Sequence, residues 1–327
     1  MSLPEAGTVV ITGASAGVGR ATALAFARRG WNVALLARGG LESAATEAEQ
    51  AGGKALTISL DVTDSDAIFA AAEQVVRHWE AIDVWVNNAM VTAFAPISEI
   101  APAEFRRITE VTYLGYVFGT MAALKHMVPR NAGTIVQVGS ALSYRAIPLQ
   151  AAYCGAKFAI RGFTDSLRSE LQHEKSNIRV TMVQLPAVNT PQFNWARNKM
   201  PKRPQPVPPI HQPEAVAEAI FRASQHTPRE LWVGFTSVRA ILGTMVVPGL
   251  LDKFLARKAY DGQLTSEPQT SEHRDNLFQA LSDGHATHGR FDALARTSAL
   301  AFNASTVRAV IAAVAVLMVA AAILTLS

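Results

Sequence analysis

The sequence has only one cysteine, Cys154, so no disulfide bond can form within the chain. Such sparse cysteine is typical of proteins that work in a reducing compartment. Metal-ligand spacing is also absent, because His285 and His288 lie close together without a cysteine or a second histidine pair nearby. Lysine and arginine are dispersed over a chain of formal net charge +4, with no basic run that carries interleaved aromatic residues. These absences argue against a disulfide-stabilised domain, a metal centre and a nucleic-acid partner.

The two ends of the chain differ in character. The N-terminus lacks the regions of a secretion signal, because a short β-branched run leads directly into a glycine-rich turn. No charged residue interrupts residues 309–326, and as a helix this run would span roughly 27 Å, near the lower limit for a bilayer core. Arg296 and Arg308 precede it, a charge bias that would keep the remainder of the chain cytoplasmic. We expect a polar linker over 261–305 and a single transmembrane helix over 306–327; the alternative is a buried or partner-packing helix.

Short apolar runs alternate with longer helical patterns from residue 8 to about residue 190. This alternation predicts an α/β fold, a doubly wound parallel sheet of the Rossmann type with helices on both faces. The strands are short and apolar, as expected when both faces of the sheet are covered. We assign residues 1–260 to this domain. The predicted strands are residues 8–11, 32–37, 55–60, 84–86, 133–138, 180–184 and 231–235.

A proline-rich segment interrupts this rhythm at residues 186–213. Phe193, Trp195 and Met200 lie among its prolines. A loop of this length inside a compact domain is usually functional or disordered. We interpret it as a substrate lid; the alternative is a rigid surface connector.

A glycine-rich loop follows the first predicted strand, with Gly13, Gly17 and Gly19 in the spacing G-x-x-x-G-x-G. Glycine permits a tight turn and lets the backbone approach a pyrophosphate closely. The helix that follows presents free N–H groups and the positive end of its dipole. In this position the loop indicates a dinucleotide site rather than a simple turn. The other candidate contacts in the loop are Ser15, Ala16 and Val18.

The end of the second predicted strand bears on the choice of cofactor. It carries Ala37 and Arg38, whereas an acidic residue there would bind the adenosine ribose hydroxyls of NAD. A guanidinium suits the 2′-phosphate of NADP, through bidentate charge-assisted hydrogen bonds. We therefore expect NADP as the cofactor, with Arg38 on its phosphate; the alternative is an ordinary exposed arginine.

Tyr153, Lys157 and Ser140 form a candidate site for proton transfer. Tyr153 and Lys157 lie four residues apart in a helical pattern, so they share one helix face. A free phenol has a pKa of about 10, and a nearby ammonium would favour the phenolate. Ser140 follows a predicted strand, at the carboxyl edge where parallel sheets bind ligands. Its hydroxyl could hold a substrate oxygen that becomes an alkoxide or a carbonyl.

Taken together, these motifs resemble those of the classical short-chain dehydrogenase/reductase family, over about residues 5–235. The resemblance implies a Rossmann fold and hydride transfer between nicotinamide C4 and a carbonyl or alcohol carbon. Tyr153 would then be the general acid or base. Five motifs agree in order and spacing: T-G-x-x-x-G-x-G at 12–19, Asp61-Val62, Asn87-Asn88-Ala89, the triad Ser140, Tyr153 and Lys157, and Pro186 to Thr190.

The resemblance also implies particular roles. Lys157 would bind the nicotinamide ribose, Ser140 would orient the substrate oxygen, and Thr190 would hold the carboxamide. Asp61 would contact the adenine. The family further implies a dimer or tetramer, formed through the helices near 102–128 and 151–172. The remaining cofactor contacts would be Val62, Asn88, Ala89, Pro186 and Val188.

Three positions depart from the family pattern. Met90 and Ala187 each replace a glycine, and Thr112 stands where many members carry an asparagine that holds a water in a proton relay. Threonine can also hold a water, with one donor fewer. We predict that a relay through Thr112 survives in altered form; the alternative is a threonine that merely packs within its helix.

The sequence thus favours an NADP-dependent oxidoreductase that acts on a carbonyl or alcohol substrate. The apolar lid residues and the apolar tail indicate a lipophilic substrate, drawn from a bilayer. A second hypothesis is a non-catalytic, membrane-tethered dinucleotide-binding redox sensor. A third is a membrane interaction protein that reuses the fold.

Overall fold

The computed structural model describes residues 6–270 and 273–326, without the side chains of residues 319 and 322–326. Its main sheet has eight strands: β1 (Thr8–Thr12), β2 (Asn32–Ala37), β3 (Lys54–Ser59), β4 (Val84–Asn87), β5 (Thr134–Ser140), β6 (Arg179–Leu185), β7 (Glu230–Val233) and β8 (Ala301–Asn303). The α-helices are α1 (Gly17–Ala27), α2 (Leu41–Gln50), α3 (Ser65–Trp79), α4 (Pro102–Thr109), α5 (Gly115–Arg130), α6 (Ala151–His173), α7 (Gln192–Trp195), α8 (Pro213–His226), α9 (Phe235–Val246), α10 (Pro248–Gly262) and α11 (Ala304–Leu326).

The main sheet has the spatial order β8-β7-β6-β5-β4-β1-β2-β3. Strands β1 to β7 pair in parallel, and β8 joins the edge antiparallel to β7. Every residue of β1, β4 and β5 is buried, because helices cover both faces of the sheet. The predicted doubly wound Rossmann fold is therefore confirmed. The strand order reverses between β1 and β4, where such sheets open a ligand-binding crevice.

The long helical pattern near residues 102–128 divides into three parts. α4 ends at Thr109, a single π-helical stretch covers Glu110–Leu114, and α5 continues from Gly115. Short π-helical insertions are often found at functional sites. Here the insertion contains Thr112, whose side chain is fully buried.

Residues 261–305 differ from the predicted polar linker, because they pack against the domain. Leu264–Pro268 pairs with Lys202–Pro204, and β8 extends the main sheet beside β7. Leu277 is fully buried within the hydrophobic cluster on one face of that sheet. The segment is polar overall, but a few apolar anchors and backbone pairing are sufficient to hold it in place.

The C-terminal helix α11 begins on the domain. Val307 packs near Trp232, and the Arg308 guanidinium donates to the hydroxyl of Tyr144 at 3.1 Å. Within the described residues, no helix combines the length and the apolar character needed to cross a membrane. The prediction of a single-pass transmembrane helix over 306–327 is therefore wrong, and its last residue lies outside the described part.

The packing of residues 263–303 can be tested by truncation. A chain that ends at residue 262 loses the buried side chains of Leu277 and Phe291 and the edge strand β8. We expect it to be less stable by at least about 3 kcal/mol than a chain ending at residue 308, since burying each such side chain contributes about 1.5–3 kcal/mol. Thermal and urea unfolding would measure the difference. Equal stability of the two chains would contradict the packing described here.

Candidate active site

One cavity of about 580 Å³ opens at the carboxyl ends of the parallel strands. It brings together nearly all of the site residues predicted from the sequence. The exceptions are Gly19, which lies in the first turn of α1 and faces the Gly13 carbonyl, and Thr112, which lies in the π-helical stretch. The predicted residues that line the cavity are Gly13, Ser15, Ala16, Gly17, Val18, Arg38, Asp61, Val62, Asn88, Ala89, Ser140, Tyr153, Lys157, Pro186, Val188 and Thr190.

The loop between β1 and α1 leaves no room for a side chain at its glycine positions. Gly13 has φ +68°, a conformation that non-glycine residues rarely adopt. A Cβ at Gly19 would lie 2.2 Å from the carbonyl oxygen of Gly13. The absence of a side chain at Gly19 therefore allows helix α1 to approach the loop closely. Asn88 holds the loop from β4, since its side-chain amide donates to the carbonyl of Thr12 at 3.0 Å. The Thr12 hydroxyl in turn accepts from the backbone N–H of Asn88 at 2.9 Å.

Arg38, Asp61 and Arg107 form a charged group at the far end of the cavity. Asp61 is bound by Arg107 and by Thr63, and these hydrogen bonds hold the pKa of its carboxyl below the ordinary value despite partial burial. Arg38 donates from Nη2 to the backbone carbonyl of Asn276 at 2.6 Å. Its Nη1 is buried without a hydrogen-bond partner among the described residues. One donor of the guanidinium is therefore left for a ligand.

Ser140 ends β5 and caps the short 3-10 turn that follows. Its hydroxyl accepts from the backbone N–H of Leu142 at 3.1 Å, so its own proton can point to another oxygen. Burial raises the pKa of the Tyr153 phenol above its ordinary value, and interaction with the Ser140 hydroxyl partly offsets this effect. Both hydroxyl groups line the same cavity. In the absence of a ligand, the phenol is thus protonated at neutral pH.

Lys157 is buried on the same face of α6 as Tyr153, with 2% of its surface exposed. Its ammonium donates to the backbone carbonyl of Val138 at 2.7 Å and to the hydroxyl of Tyr116 at 3.0 Å. It lies 5.6 Å from the ring centre of Tyr153. Burial lowers the pKa of Lys157 to about 7, because its acceptors are uncharged and water is excluded.

The Thr112 hydroxyl is bonded to the backbone of Val91. It donates to the carbonyl of Val91 at 3.0 Å and accepts from the N–H of Val91 at 3.2 Å. These two bonds fix the loop that follows β4. The relay role of Thr112 remains a prediction.

The proline-rich segment forms one wall of the cavity. Phe193 and Trp195 line the cavity, whereas the buried side chain of Met200 packs in a cluster with Phe94. Arg197 pairs with Glu104 and so ties the segment to α4. In the structure this segment is packed against the rest of the domain.

Several lining or supporting residues lie outside the sequence prediction. Tyr116 could have been found, since it is four residues beyond Thr112 in a helical pattern. Arg107 and the contacts from residues 276–285 carried no such local signal. They reach the site only through the tertiary packing of α4 and of the segment beyond residue 270.

Comparisons with known proteins agree with this geometry. A family model described as short chain dehydrogenase matches residues 7–201. The chain is 32% identical to the uncharacterized oxidoreductase YxnA of Bacillus subtilis (strain 168), over 83% of this chain and 78% of that protein. It is 32% identical to the 3-oxoacyl-[acyl-carrier-protein] reductase FabG of Thermotoga maritima, over 68% of this chain and 92% of that protein. An alcohol dehydrogenase of the archaeon Thermococcus sibiricus, solved with 5-hydroxy-NADP, superposes with a TM-score of 0.58 at 27% identity, over 69% of this chain and 95% of that chain.

The burial of Lys157 predicts a pH dependence of stability in the ligand-free protein. Its pKa is about 7 in the folded chain and about 10.4 when unfolded, so between these values the unfolded chain binds more protons. The free energy of unfolding should then rise with pH from 7 to 10, relative to Lys157→Met, by up to about 1.4 kcal/mol per pH unit.

Urea unfolding at pH 7, 8 and 9 would measure this difference. Lys125→Met is the matched control, because Lys125 is exposed and paired with Glu73. Parallel stability curves for the wild type and Lys157→Met would show that the ammonium is not desolvated as described.

Proposed function

The chain belongs to the short-chain dehydrogenase family, and on that premise we propose that it is an NADP-dependent oxidoreductase with Tyr153 as its general acid or base. The fold is one that binds a nicotinamide dinucleotide. One observation carries the proposal: Ser140, Tyr153 and Lys157 line the same cavity as the glycine loop. The chemistry is then reduction of a carbonyl or oxidation of an alcohol.

The residues at the sheet edge fit such a cofactor. A Cβ at Gly13, Gly17 or Gly19 would lie within about 3 Å of neighbouring protein atoms, so only glycine allows the loop its tight turn beside the cavity. The loop and the N-terminus of α1 would hold the pyrophosphate, and Lys157 and Thr190 would hold the nicotinamide end. When bound, the nicotinamide supplies or accepts the hydride.

Side chains of the protein would carry out the proton transfer. The Ser140 proton would bond to the substrate oxygen, and the Tyr153 hydroxyl would give its proton to that oxygen during reduction. Tyr116 and the Val138 carbonyl take up two donors of Lys157. A third donor is left for the nicotinamide ribose, and the positive charge, 5.6 Å from the ring centre of Tyr153, would stabilise the phenolate electrostatically.

The preference for NADP rests on Arg38. Its Nη1 is a buried donor without a partner among the described residues. A 2′-phosphate would satisfy that donor through a charge-assisted bond, whereas the ribose hydroxyl of NAD would give a weaker one. The Thermococcus relative was solved with an NADP derivative.

The substrate is proposed to be lipophilic, because the lining near Tyr153 is largely apolar. Gln150 and Gln263 are polar residues of that lining, and their side-chain amides already bond to each other at 2.7 Å. These two amides are therefore already paired, and the surface left for a substrate beside them is mostly apolar. The apolar lining includes Leu142, Ile147, Phe193, Val207, Leu251 and Phe254.

Self-association through α5 and α6 is also proposed. Met121, Val128 and Phe158 are exposed on these helices, with 40–53% of each residue's surface accessible. Exposed apolar residues on adjacent helices are common at subunit contacts.

The catalytic assignment is tested by Tyr153→Phe. A screen of ketones, aldehydes and alcohols, followed by the absorbance of reduced nicotinamide, first identifies a substrate. The variant should then lose about 10²–10⁴-fold in kcat, since the proton donor is removed. Tyr113→Phe, outside the cavity lining, is the control and should retain activity. Full activity in Tyr153→Phe would rule out the assignment.

The cofactor assignment is tested by binding. Reduced-cofactor fluorescence should give tighter binding of NADPH than of NADH, and Arg38→Leu should reduce that preference by about 10–100-fold, the strength of one charged hydrogen bond. Arg28→Leu, an exposed arginine at the end of α1, should leave it unchanged. Equal preference in Arg38→Leu and wild type would contradict the role of Arg38.

A further inference from the structure

Residues 273–292 form a strap that lies across the adenosine end of the cavity. Four of its residues line the cavity, namely Asn276, Ala280, Leu281 and His285. The ring of His285 covers Gly40, where a Cβ would lie 2.3 Å from the ring. The strap therefore forms a wall of the cavity that packs against the glycine loop and the end of β2.

The backbone of the strap binds both arginines beside Asp61. The carbonyl of Asn276 accepts from Arg38 at 2.6 Å, and the carbonyl of Leu277 accepts from Arg107 at 3.0 Å. Arg107 is also paired with Asp61. Two consecutive peptide carbonyls thus fix the orientation of the charged group at this end of the cavity.

Those two carbonyls are themselves firmly anchored. The side chain of Leu277 is fully buried in the core cluster. The Asp275 carboxylate accepts from the backbone N–H of Leu277 at 3.0 Å and from Nε of Arg197 at 3.0 Å. Asp275 has 19% of its side chain exposed, so this ion pair is largely shielded from water. The peptide at 276–277 is held by a core contact on one side and an ion pair on the other.

We propose that the strap is a built part of the cofactor site, in which the Asn276 carbonyl positions Arg38 to bind the 2′-phosphate of NADP. This rests on the NADP-dependent activity proposed above. The bond from Nη2 to Asn276 fixes the guanidinium plane and leaves Nη1 for the phosphate. A guanidinium that is already ordered loses less conformational freedom on binding. Asp275 and Leu277 are positioning residues for this contact.

The opposite role, a plug that competes with the cofactor, makes a different prediction. The carbonyl of Ala286 does accept from the backbone N–H of Gly17 at 2.9 Å, in the glycine loop. The strap nevertheless borders a cavity of about 580 Å³ and leaves it open. Loosening a wall weakens cofactor binding, whereas loosening a plug strengthens it.

Asp275→Asn and Asp283→Asn form the matched test pair. Both carboxylates lie in the strap, but Asp283 is exposed and pairs only with Arg274 among the described residues. Titration of the full chain by reduced-cofactor fluorescence should show about fivefold weaker NADPH binding in Asp275→Asn, a smaller change for NADH, and no change in Asp283→Asn. Leu277→Ala should weaken NADPH binding by at least about tenfold, whereas Leu277→Met, which keeps the side-chain volume, should bind NADPH as the wild type does.

The pattern of affinities decides between the possibilities. Tighter NADPH binding in Asp275→Asn or Leu277→Ala would overturn the proposal in favour of a plug. Equal losses for NADPH and NADH in folded variants, checked by circular dichroism, would overturn the positioning of Arg38. A wild-type preference for NADPH with both variants unchanged would remove the role of the strap but not the proposed function. Wild-type protein that binds neither cofactor would contradict both.

Discussion

Parallel pairing makes strands β1 to β7 end at one edge of the main sheet, and this constraint decides where ligands can bind. Side chains and turns that are far apart in the sequence meet there without any local signal that joins them. The reversal of strand order between β1 and β4 opens the crevice, and the glycine loop lies within it. The residues that reach the cavity from successive strand ends are Gly13, Arg38, Asp61, Asn88, Ser140 and Pro186.

Desolvation governs the chemistry at this edge. An ammonium in a dry site loses its hydration, and uncharged acceptors such as those of Lys157 do not fully replace it. The same burial disfavours the phenolate of Tyr153, so the pKa of the phenol rises while the pKa of the Lys157 ammonium falls. The spacing of Tyr153 and Lys157 predicted that the ammonium would stabilise the phenolate. In the ligand-free site the proton stays on the phenol, and Lys157 is the group that titrates near neutral pH.

The sheet and the triad could be predicted because their signals are local. A helical spacing of four places Tyr153 and Lys157 on one face, and alternating strands and helices define the parallel sheet. Leu277 and Arg107 could not be predicted, since their roles arise from contacts with residues that are distant in sequence. The polar composition of 261–305 concealed its anchors for the same reason. The transmembrane prediction for the apolar tail was wrong for the converse reason, since apolar composition alone does not place a helix in a membrane.

The family match covers residues 7–201, which include the glycine loop and the triad, whereas α8 to α11 and the strap lie beyond it. The glycine loop and the triad therefore come from the part of the chain that the family match covers, and part of the cavity wall comes from the part beyond it. Asp275 of the strap pairs with Arg197 of the proline-rich segment, so these two walls of the cavity share one support. Ser140, Tyr153 and Lys157 are carried on β5 and α6, whereas the proline-rich segment and the strap form other walls of the cavity. Because the two are carried on different elements, these walls can vary while the sheet edge keeps its geometry.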